Sequence, residues 1–111
     1  MKVAVLIVSI LSFTCRDTLT CHFTARANRE AALRHDLFEI RHAIDDFYAD
    51  KQRHPESLDA LVRDHYLRTV PTDPLTGSSA TWIQVQGDGG VIDVKSGASG
   101  IGCDGTEYQR W

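Results

Sequence analysis

The sequence predicts an α+β domain: one long amphipathic helix packed on a small antiparallel sheet, with a short second helix and an irregular C-terminal loop. Three observations predict it. Apolar residues recur at helical spacing across residues 25–51. Two strand-like stretches flank the turn "GDGG", residues 87–90. Between helices and strands lies "TVPTDPLTGSSATW", residues 69–82, whose two prolines exclude a regular helix or a central strand.

The elements follow in order. Lys2 precedes the apolar stretch "VAVLIVSILSF", Val3 to Phe13. These 11 residues are too few to cross a bilayer core as a helix. One positive charge before a short apolar stretch is the pattern of an export signal. Residues 1–24 are therefore expected to be an apolar export or anchor segment, and 25–111 the folded domain. In the long helix Leu33, Leu37, Ile40, Ile44 and Phe47 fall on one face, and Tyr48 is expected to widen the stripe. Arg34, His35, Glu39, Arg41, Asp45, Asp46 and Asp50 lie opposite, with Glu30 and Arg34 at the i,i+4 offset for an ion pair.

"QRHPES" ends this helix, because the residue before Pro55 is driven out of helical geometry. Ser57 is the expected N-cap of a second helix, "LDALVRDHY", with Leu58, Leu61 and Val62 as its apolar face. In the proline loop, Pro71 and Pro74 fix φ, Gly77 can take a positive-φ turn, and Trp82 can pin the far end to the core. "TWIQVQ" and "VIDVKS" form the hairpin, joined by "GDGG". Tyr108 and Trp111 are expected to dock the Gly-rich tail onto the body.

A length of 111 residues fits one domain with a modest core. The net charge of −3, with basic and acidic residues interspersed, argues against a nucleic-acid partner. Cys15, Cys21 and Cys103 are an odd set, so one bridge at most forms within the chain, and no spacing among them matches a zinc site. His35 and His42 share a helix face but lie about 10 Å apart along the axis, which reads as a solvated surface. No G-x-S-x-G is present. The Gly-rich stretches do not run from strand to helix, so they do not form a phosphate cradle. Asp88, Asp93, Asp104 and Glu107 cluster late in the chain without EF-hand spacing. The residues describe a structural or interaction module and no enzyme.

The order of elements, with Pro55, Ser57, Leu58 and Leu61, then Pro71, Asp73, Pro74, Gly77 and Trp82, resembles the major, G-type pseudopilins of bacterial type II secretion. The closing "VIDVKSGASGIGCDGTEYQRW", ending on Trp111, resembles that family's C-terminal loop. The resemblance implies a pilin-like head. It also implies a filament subunit of the inner membrane and periplasm, self-assembling with other secretion components to drive protein export. Calcium held in the C-terminal loop is a further implication, with Asp104 matching one acidic ligand and Ser99 standing where an Asp is usual. "SFTCRD" echoes the family's peptidase site, with Asp17 in the Glu position, but here the apolar run precedes the echo instead of following it. The alternative reading is therefore a soluble exported binding or adaptor module that reuses the pilin head.

Overall fold

The computed structural model describes residues 25–111. The expected export or anchor segment, with Cys15 and Cys21, lies outside the described residues. Helix α1 spans Ala25–Lys51, 27 residues uninterrupted by Gly or Pro. The predicted stripe is its buried face: Leu33, Leu37, Ile40, Ile44 and Phe47 are each at most 2% exposed, and Ala43 joins them. Tyr48 does not widen it. The helical step leaves Tyr48 within about 40° of Ile44, yet its exposed ring stacks on His54 at 4.6 Å instead of entering the core. Phe38, 67% exposed, stacks on His42 and stands outside the core.

Helix α2 spans Leu58–Arg63. Ser57 caps it as predicted: it is extended at φ −159°, and its side chain accepts from the Ala60 N–H. The helix stops three residues before the expected Tyr66. His65 takes φ +68°, and the N–H groups of Tyr66 and Leu67 both turn back to the Leu61 carbonyl. That reversal carries Tyr66 to the edge of Phe47, with ring centroids 5.3 Å apart, and lets its hydroxyl donate to Asp50 at 2.7 Å. Tertiary packing overrides the local helical pattern here.

Strands β1 (Ile83–Gly87) and β2 (Gly90–Lys95) pair antiparallel as a two-stranded sheet. Gly87 faces Gly90 across the turn, and Gly89 and Gly90 take φ +91° and +145°, as the "GDGG" turn requires. The register shifts between Val85 and Gln86, whose partners are Asp93 and Val91, so Ile92 is the extra residue of a β-bulge. Strict alternation would put Val91 and Val94, three apart, on opposite faces. The bulge lets both bury completely while Ile92 remains 45% exposed. β2 packs against α1, and Val91 and Val94 join the α1 stripe, Leu58, Leu61 and Trp82 in one core.

Asp36 lies half-buried on α1 beside this core. Burial pushes its carboxyl above the ordinary range, Glu39 and Asp73 add to that, and His35 opposes it. A carboxyl raised by folding stabilises the fold only while protonated, so its contribution is present below about pH 4 and is lost as pH rises through the folded value. Asp36→Asn is expected to raise the Tm at pH 7, on the order of 1–3 °C. The gain should vanish near pH 4. Thermal melts at the two pH values check this.

Candidate functional site

Residues predicted to carry the motif converge on two joined features, the proline loop and the C-terminal tail. In the loop Asp73 is completely buried. Its Oδ1 accepts from the Leu75 N–H at 2.9 Å, the geometry of an Asx turn. Pro74 sits between the two and fixes the turn's φ. The Asp73 backbone closes the same turn, its N–H donating to Ser78 O and its carbonyl accepting from the Gly77 N–H. Gly77 takes φ +72°, as expected. Asp73 Oδ2 accepts from the hydroxyl of Ser96, which is also fully buried, at 2.6 Å. Ser96 Oγ in turn accepts from the Ala98 N–H. One carboxylate thus ties the loop to the exit of β2.

Trp82 closes the loop's far end. It is 6% exposed, and its indole N–H donates to the Pro71 carbonyl at 2.7 Å. Pro55 is buried, and its carbonyl accepts from the Val91 N–H at 2.8 Å, docking the chain between the helices onto β2. Leu58 is buried in the core, and its N–H meets Gln84 Oε1 at 3.4 Å. Every motif residue named so far is therefore a fastening within the fold.

The tail is held by polar residues of α1. Glu30 is 6% exposed and does not pair with Arg34 as its spacing predicted. It accepts from the Tyr108 hydroxyl at 2.7 Å and from the Cys103 N–H at 3.0 Å, with Arg26 alongside at 3.5 Å. Burial, and then the bond to Glu30, push the Tyr108 phenol above its ordinary range. Arg26 also donates to the Ile101 carbonyl. Arg34 reaches Asp104 at 3.0 Å, and its guanidinium lies 3.8 Å over the centre of the Trp111 ring. Arg41, predicted on the solvated face, donates to Asp93 and to the carbonyls of Val94 and Trp111.

Arg26, Arg34 and Arg41 therefore form a row along α1 that clamps the tail. Helical spacing of about two turns between successive arginines was the signal available in the sequence. What it lacked was the partner, 52 to 82 residues away. Tyr108 packs edge-on to Trp111 at 5.1 Å, so both predicted tail anchors do dock. Cys103 is disulfide-bonded, and its partner lies outside the described residues. His35 and His42 pair with Glu39 and Asp46 on the exposed face of α1.

Asp104 is exposed at the tail's apex. Its Oδ1 accepts from both the N–H and the hydroxyl of Thr106, and its Oδ2 from Arg34. Those Thr106 bonds, followed by Arg34, hold the carboxyl below its ordinary range. Ser99 is exposed. Among the described residues no group of three or more His, Cys, Asp or Glu side chains is placed to hold a metal ion. No helix of the described residues is long and apolar enough to cross a membrane.

Arranged this way, the described residues form a helix-backed α+β fold whose loop and tail are fastened by buried carboxylates and α1 arginines. No protein family, curated protein or solved structure matches the chain.

Proposed function

We propose that the chain is a structural, pseudopilin-like subunit of a type II secretion system, acting by assembly into a periplasmic filament at the inner membrane. One observation carries the reading. The residues on which the resemblance rests, Pro55, Ser57, Asp73, Gly77 and Trp82, are those that fasten helix, loop and hairpin to one another. A motif with a mechanical role has this distribution, with its polar groups bonded inside the protein and not aimed into a cleft. Force transmitted along a filament needs a head that does not yield locally, and the buried Asp73–Ser96 tie serves that need.

The test is made in cells on the full chain. Membrane fractions treated with an amine-reactive cross-linker are expected to give a ladder of multimers, and N-terminal sequencing a mature start that leaves an apolar segment ahead of residue 25. A monomer in the soluble fraction with a mature start at residues 24–27 would overturn assembly and support the exported adaptor module.

A further inference from the structure

We propose that this head closes its C-terminal loop with an internal cation, the Arg34 guanidinium, and holds its tail without a bound metal. The inference rests on the tail's own contacts and not on the assembly reading. A divalent cation such as calcium takes six to eight converging oxygens, at least two of them usually carboxylate. The loop offers two carboxylates, Asp104 and Glu107, which converge with no third His, Cys, Asp or Glu among the described residues, and both Asp104 oxygens are engaged by Thr106 and Arg34. Four of its carbonyls are engaged as well. Gly100 O accepts from the Tyr108 N–H, Gly102 O from Gly105, Thr106 O from Gly102, and Ile101 O from Arg26. The Asp104 carboxylate and these four carbonyls are turned to protein donors.

Arg34 does the gathering instead. Its guanidinium bonds Asp104 at 3.0 Å and stacks on Trp111 at 3.8 Å. The Trp111 indole donates to Thr106 Oγ1 at 2.6 Å, and that hydroxyl donates to Asp104 at 2.6 Å. Arg34, Asp104, Thr106 and Trp111 therefore form a closed circuit. The planar, permanently charged guanidinium satisfies both the carboxylate and the ring face. Gly102 belongs to the same design, because a Cβ there would run into the Trp111 ring.

The experiment uses the full chain, melted in millimolar calcium and in excess EDTA, with Arg34→Met and Arg34→Lys beside the parent. Equal parent Tm values in the two buffers, within about 1 °C, are expected. Arg34→Met keeps the apolar stem and removes the charge. It should lower Tm by several degrees in both buffers and move the Trp111 indole N–H signal, assigned with Trp111→Phe. Arg34→Lys keeps the charge without the fork and should fall between. A parent stabilised by calcium overturns the proposal. So does an Arg34→Met protein that matches the parent in both Tm and indole signal.

Discussion

Asp73→Ala is expected to cost about 3 kcal/mol of folding stability, a large share of the roughly 5–15 kcal/mol a domain holds. The alanine leaves the Ser96 hydroxyl and the Leu75 N–H without their acceptor, at a position with no solvent exposure. Each orphaned donor costs about 1–3 kcal/mol where water cannot replace the lost oxygen. The cavity left by the carboxyl adds to this. Asp73→Asn keeps an oxygen for Leu75 and should cost only about 1 kcal/mol. Urea denaturation checks the pair: the midpoint should fall with little change in slope. Combining Asp73→Ala with Ser96→Ala should cost less than the sum of the two, because they remove one shared bond. A midpoint for Asp73→Ala within error of the parent would refute the keystone role.

The second large effect is at Phe47. Phe47→Ala is expected to cost about 3–5 kcal/mol, the usual range for deleting a buried aromatic ring. The ring is completely buried, meets Tyr66 edge-on at 5.3 Å, and has Lys51 and Arg53 over it at 5.0 and 5.2 Å. Its loss therefore loosens the end of α1, the turn after α2 and the Tyr66–Asp50 bond together. Phe47→Leu retains most of the volume and should cost about 1.5 kcal/mol or less. Equal midpoints for the alanine and leucine variants would contradict the packing argument.

The two sites differ in how far the sequence disclosed them. Phe47 was legible because burial of a helix face repeats at three and four residues, and each member of the stripe confirms its neighbours. Asp73 was visible only as a member of a proline loop. Nothing near it in sequence names Ser96, 23 residues on, as its partner. Ser57 and the turn glycines were legible for the local reason that caps and positive-φ turns are settled within a few residues. Tyr48 misled because its ring stacks on His54, a contact that helical periodicity does not encode. The end of α2 misled because the turn at His65 answers to Phe47 packing and not to helix propensity.

Taken alone, the sequence determined the α+β class, the long helix and its buried face, the Ser57 cap, the hairpin and its turn. All of these follow from periodicity or from steric preferences that act over a few residues. The tertiary structure decided the rest: the bulge that buries both Val91 and Val94, the inward turn of Glu30, and the choice of Asp104 and not Glu30 as the partner of Arg34. The last two outcomes depend on charged and polar groups 70 or more residues apart. Such groups carry no period, and any of several partners would satisfy them until folding of the backbone brings one within hydrogen-bond reach.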